Sequence, residues 1–136
     1  MPHLRVSMSL RPIARWTLDV ERFPKARVLL DHMARPVVDD GPPYKAAEPL
    51  FALARYENLY LKLTTHNVRA APQGFFARVV KSYGAARVAW GSNYPAAQGT
   101  LGALLADARE ALAAFSAAER DWIFSRTAKK FYPARA

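Results

Sequence analysis

Histidine is the side chain best suited to trade a proton near neutral pH, and the chain carries three, at positions 3, 32 and 66. Two of them follow apolar runs directly. Val28-Leu29-Leu30-Asp31 leads into His32, and Leu59-Tyr60-Leu61-Lys62-Leu63-Thr64-Thr65 leads into His66. A neutral imidazole placed directly after a buried strand can ligate a metal or relay a proton. The plainer alternative is a histidine that hydrogen-bonds a neighbouring loop, and both readings of His32 stand. Asp31 either orients His32 or caps backbone amides, and alternation along a strand, which sends neighbours to opposite faces, favours the cap. His66, among threonines and Asn67, is suited equally to substrate contact and to plain exposure, whereas Thr64 and Thr65 read as strand ends. His3, at the start, is expected to be inert. Ser7 and Ser9 after a first apolar run, and Ser92 and Asn93 after a fourth, complete the set of polar clusters. Lys62, between Leu61 and Leu63, either lines a sheet interior, where desolvation perturbs its titration, or marks an exposed edge.

Much other chemistry is excluded. The absence of cysteine removes disulfide scaffolds, thiolate metal sites and cysteine nucleophiles. There is no glycine-rich phosphate loop, no Gly-x-Ser-x-Gly elbow, no His-x-His pair and no His-Glu-x-x-His helix. Twenty basic against eleven acidic residues give a formal charge of +9, which favours anionic partners. Arginines at 5, 11, 15, 22, 27, 35, 55, 69 and 78 are scattered singly along the chain, and Lys129-Lys130 is the one adjacent basic pair, so a solvated arginine-rich surface is expected. Aromatics are not interleaved with basic residues as base-stacking platforms require, so no nucleic-acid partner is expected. A small carboxylated substrate would suit the charge, met by Arg35 or Arg69. Neither a membrane-spanning run nor a secretory leader is evident, so the expectation is no membrane partner and a cytoplasmic protein.

The elements that must position these groups alternate. With 136 residues the chain is one domain, 1–136. Leu4 to Leu10 alternates with period two, and Pro12, Ile13, Trp16 and Val20 then follow helical spacing. Arg27 to Asp31 is a continuous aliphatic strand of the kind buried on both faces of a parallel sheet. A turn-rich loop through Arg35-Pro36, Asp39-Asp40-Gly41 and Pro42-Pro43 precedes a helix carrying Leu50, Leu53, Ala54 and Tyr56. The third strand, Leu59 to Leu63, runs into a polar loop and then a helix from about Pro72 to Tyr83, closed by Gly84. The fourth, Arg87 to Trp90, breaks at Gly91-Ser92. Two terminal helices follow, Leu101 to Ala113 and one opened by the capping box Ser116-Ala117-Ala118-Glu119. Four β-then-α units argue an α/β fold with a parallel sheet, either a small open sheet or half of an eight-stranded barrel, with chemistry at the carboxyl ends of the strands.

Several segments, taken together, carry a resemblance. Val28-Leu29-Leu30-Asp31-His32-Met33, Tyr56-Glu57-Asn58-Leu59-Tyr60-Leu61-Lys62-Leu63, Arg87-Val88-Ala89-Trp90-Gly91-Ser92-Asn93-Tyr94-Pro95 and Trp122 to Tyr132 resemble, in order and spacing, the amidohydrolase-related (amidohydrolase 2) family. That family comprises barrel hydrolases such as dicarboxylate and sugar lactonases, together with some decarboxylases. The likeness spans roughly residues 13 to 132. It implies four βα units forming the second half of a (β/α)8 TIM-like barrel, strands five to eight, plus C-terminal helices. His32 matches the histidine at the end of the sixth strand, a metal ligand or proton-transfer group in the family. Asn93 stands where many members place an aspartate, and an amide cannot act as a general base, so a hydrogen bond to substrate is the expectation. The expected site is therefore His32 and Asn93 at the catalytic centre, with His66, Arg35, Arg69 and Ser92 toward the substrate. A divalent metal such as zinc belongs to the family. Its His-x-His pair would lie in the first half, however, and Ser7, Met8 and Ser9 stand near the position of the fifth-strand histidine. The resemblance implies a hydrolase of a small carboxylated, lactone or amide substrate. The alternative is a non-catalytic half-barrel that assembles with a missing half or with a second copy of itself.

Overall fold

The computed structural model describes the backbone of residues 3–6 and the whole of residues 20–134. The expectations resting on Ser7, Ser9, Ile13 and Trp16 lie outside the described residues. Four strands, β1 (His3–Val6), β2 (Arg27–Leu30), β3 (Leu59–Thr64) and β4 (Val88–Gly91), form one sheet in the order β1-β2-β3-β4. Every neighbouring pair is parallel, with Val6 opposite Leu30, Leu30 opposite Leu61, and Leu63 opposite Trp90. Parallel neighbours need crossover connections, and among the described residues helices supply those after β2 and β3.

The crossover after β2 ends in α1 (Glu48–Ala52), which tightens into a 3₁₀ turn at Leu53–Arg55 and stops as Tyr56 turns extended, so Tyr56 lies beyond the helix expected to carry it. After β3 come two helices, α2 (Thr65–Ala70) and α3 (Gln73–Tyr83). The first occupies the stretch read from sequence as a polar loop. Its start is a capping box: Thr64 serves as N-cap and Asn67, three residues on, closes it in place of the usual glutamate. Gly84, at φ 79°, ends α3 as expected. After β4, α4 (Leu101–Ala111) and α5 (Ala117–Asp121) follow, the second with its Ser116–Glu119 box reciprocally bonded; a π turn at Trp122–Arg126 then leads into α6 (Thr127–Phe131).

β2 and β3 are buried on both faces, which is why they read as continuous aliphatic runs. On one face Val28, Leu30, Leu59, Leu61, Leu63 and Val88 meet Leu50, Phe75, Phe76 and Val79 of the helices in one cluster. On the other, Leu29 and Tyr60 pack with Phe131. Lys62 alternates onto this second face with Tyr60. Arg87, just before β4, ties the lower ends of the units together by donating to the carbonyls of Tyr83, Tyr56 and Ala54 at 2.9, 2.8 and 2.9 Å. Among the described residues no helix is long and apolar enough to cross a membrane.

Candidate active site

Chain leaving the carboxyl ends of β2, β3 and β4 gathers the polar clusters on one side of the sheet. Directly after β2 the backbone enters the left-handed region and stays there, with φ of 53°, 50°, 59° and 49° at His32, Met33, Ala34 and Arg35. None is glycine, and such conformations cost non-glycine residues of order 1 kcal/mol or more each, so the surroundings must over-determine them. They do. Met33 is fully buried, and the His32 carbonyl accepts from the Arg35 amide at 2.9 Å and from Asn67 Nδ2 at 2.8 Å.

The His32 ring is fixed as well, with Nδ1 2.7 Å from Thr64 Oγ1. Thr64 is itself held by Asn67, whose Oδ1 accepts from the Thr64 amide at 2.9 Å and from its hydroxyl at 3.1 Å. The imidazole is half-buried, and its pKa lies below the ordinary 6.5. Loss of solvation is the leading cause, followed by the Arg35 guanidinium; Asp31 opposes the shift, and Lys62 and His66 add to it. At neutral pH the ring is therefore uncharged, as a base or ligand requires.

Asp31 has an ion-pair partner on the neighbouring strand. Its carboxylate, only 4% exposed, lies 3.4 Å from the Lys62 ammonium. Lys62 thus lines the sheet interior and is not an edge lysine. Its stem crosses Gly91, where an added Cβ would sit 2.7 Å from Lys62 Cε, so glycine at this point of β4 leaves the lysine its path.

The third and fourth strand ends meet in a second locus. His66 stands edge-on to His32, ring centroids 6.0 Å apart. With Arg69 on the next turn of α2 and Asn93 after β4 it lines an open cleft of about 450 Å³. Asn93 is exposed in the left-handed region, φ 58°, a conformation asparagine tolerates, and its carbonyl accepts from the Ala97 amide at 2.8 Å. Arg69 donates to the Gln98 carbonyl at 2.7 Å and lies 4.0 Å from Asp107, which aligns it along the cleft wall. Ser92 is committed to the frame: its carbonyl accepts from Thr65 Oγ1 at 2.7 Å and its hydroxyl from the Tyr94 amide at 3.1 Å. Arg35 is exposed beside His32 and is not among the residues lining that cleft. A larger cleft of about 590 Å³, lined by Trp90, Leu105, Arg109 and Phe124 among others, has neither histidine nor strand-end loop in its walls.

Thr64, which reads as a strand end, and Asn67, to which the sequence assigns no role, are the site residues that the structure adds. The signal was present as a Thr-x-x-Asn spacing at a strand end, a capping pattern. As to metal, the described residues offer no cluster of three or more His, Asp, Glu or Cys side chains around one point. Tight divalent sites usually need three or more converging ligands, so this donor set does not by itself fit one.

An amidohydrolase family model matches residues 19–134, nearly the whole chain. The chain belongs to the amidohydrolase family. Among characterised proteins, the L-fucono-1,5-lactonase of Burkholderia ambifaria is 31% identical over 81 residues, 54% of this chain and 28% of that enzyme. Among solved structures, a zinc-bound amidohydrolase from Burkholderia multivorans superposes with a TM-score of 0.73 at 20% identity, over 98% of this chain and 53% of that one. A dihydroxybenzoic acid decarboxylase from Polaromonas, with bound manganese and an inhibitor, superposes at 0.58 and 18% identity, over 86% and 37%. The chain thus spans about half the length of the first of these structures, and its match covers about a quarter of the lactonase. The structural likenesses establish the fold, a parallel α/β sheet of the kind found in part of a TIM barrel.

Proposed function

We propose that the chain forms the second half of a (β/α)8 barrel, four βα units and the C-terminal helices, of an enzyme that hydrolyses a small carboxylated, lactone or amide substrate. The observation that carries this reading is the His32 imidazole: uncharged at neutral pH, clamped through its backbone and its ring, and set at the mouth of the sheet beside a cleft lined by His66, Arg69 and Asn93. Lactone and decarboxylase chemistry among the relatives supports the substrate class.

In this mechanism His32 accepts a proton from water as the oxygen bonds to the substrate carbonyl carbon. The same proton then passes to the departing ring oxygen or amine as the acyl bond breaks, which returns His32 to its starting form. Arg69 holds the substrate carboxylate from the cleft wall, and His66 and Asn93 hydrogen-bond it, Asn93 as donor and never as base; Arg35, beside His32, acts on the ring through its charge. Ser92 acts by shaping the turn that presents Asn93. A zinc ion in the complete enzyme would need donors beyond the described residues, and no step here depends on one.

The test is His32→Ala in the complete enzyme, screened against aldonolactones and small amides. General acid–base groups contribute about 10²- to 10⁴-fold, so kcat/KM should fall in that range. Unchanged kcat/KM removes His32 from the chemistry.

A second reading rests on a separate observation, that β1 and β4 each have one unpaired side within the described sheet. Unpaired strand edges template association, which suits a half-barrel that pairs with a complementary half or with a second copy. A mass above the monomer by light scattering supports it, and a stable monomer with a cooperative melt counts against it.

A further inference from the structure

We propose that Thr64 and Asn67 are positioning residues that hold His32 as its Nδ1–H tautomer, which makes Nε2 the atom that exchanges protons; this rests on the reading of His32 as the proton-transfer group. The assignment follows from counting hydrogens. Asn67 has a fixed amide orientation, because its oxygen faces the Thr64 backbone amide, which only donates, at 2.9 Å, and its nitrogen faces the His32 carbonyl, which only accepts, at 2.8 Å. The Thr64 hydroxyl then lies 3.1 Å from an amide oxygen that carries no hydrogen. Two oxygens at that separation attract only if a proton lies between them, and the hydroxyl has the only one to give. With its proton directed to Asn67, Thr64 Oγ1 faces the His32 ring as an acceptor, so the 2.7 Å contact requires a proton on Nδ1.

The reverse arrangement, with Thr64 donating to Nδ1, leaves the hydroxyl and Asn67 oxygens facing each other at 3.1 Å without a bridging proton, and in a buried setting that repulsion is weakly screened. Thr64 and Asn67 are 0% and 3% exposed, so water does not relieve that clash cheaply. One helix start thus does two things at once. Its capping box begins α2, and the same two side chains grip both the carbonyl and the ring of a residue 32 positions earlier in the chain. Outer partners of this kind are a usual means of fixing which histidine nitrogen stays free.

The experiment is nitrogen NMR of the full chain labelled at histidine, stripped of metal and held at pH 8, with His3→Gln and His66→Gln used to assign the His32 signals. The wild type should show Nδ1 protonated and Nε2 bare as the majority form. Thr64→Val, which keeps the shape and removes the hydroxyl, should make the Nε2–H form the majority; Thr64→Ser should restore the wild-type pattern. An Nε2–H majority in the wild type overturns the proposal, as does a Thr64→Val spectrum unchanged from wild type. Should Thr64→Val not fold, the downfield proton spectrum of the wild type decides the matter: a slowly exchanging Nδ1–H resonance, retained in Thr64→Ser, supports the clamp, and its absence overturns it. Kinetics separate the two readings. An Nδ1–H spectrum alongside undiminished turnover of His32→Ala leaves the tautomer standing and removes the catalytic role.

Discussion

His32 combines a strained backbone with a depressed pKa, and both make its chemistry sensitive to single neighbours. Because its folded value lies below 6.5, the unfolded chain takes up this proton first as pH falls. The ring's contribution to stability is therefore complete above 6.5 and is lost as pH drops through the folded value. Activity that needs the neutral ring should likewise hold to below pH 6.5 before its acid limb sets in. Arg35→Gln, which removes the largest charge effect on the ring, should move that limb to higher pH, read from a kcat/KM profile. An unmoved limb would show that Arg35 does not act on the ring. Lys62→Met tests the neighbouring pair. It withdraws the ammonium 3.4 Å from a buried carboxylate, and a loss of about 2 kcal/mol in denaturant melts is expected, below the full range for a buried pair because Lys62 is itself partly exposed.

At the scale of elements, Arg87 shows how one side chain joins units that the sequence presents as separate. It read simply as the first residue of a strand, yet its guanidinium closes the ends of α3 and of the turn after α1 by meeting three carbonyls. Arg87→Met should cost about 2 to 3 kcal/mol, since hydrogen bonds to charged groups are worth about 1.5 to 3 kcal/mol and the carbonyls are left unmet. Equilibrium unfolding in urea reads the difference. Helix α2 gives the opposite lesson about legibility. Thr64 to Asn67 lacks an apolar stripe and so reads as a loop in sequence, and a six-residue helix is too short to show one. What makes it a helix is local capping together with Asn67's bond to the His32 carbonyl, a contact 35 residues away in the chain.

At the scale of the molecule, the described residues supply one strand-end histidine in a clamped, neutral state and no three-ligand cluster. Calorimetric titration of the 136-residue chain with zinc should accordingly show no site tighter than about micromolar. A stoichiometric tight site would mean that donors outside the described residues complete one. The sequence by itself determined the strand-helix alternation, the parallel sheet, the placing of polar groups at strand ends and the family. These follow from hydrophobic periodicity and short motifs, which act over a few residues and are written locally. Only the tertiary structure decided which polar groups meet. Sequence spacing does not show that Asp31 pairs with Lys62, that Ser92 is spent on the frame, or that Thr64 and Asn67 hold the ring. Those pairings depend on the register between parallel strands and on where α2 begins. Both are set by burial across the whole sheet and not by any residue's neighbours in the chain.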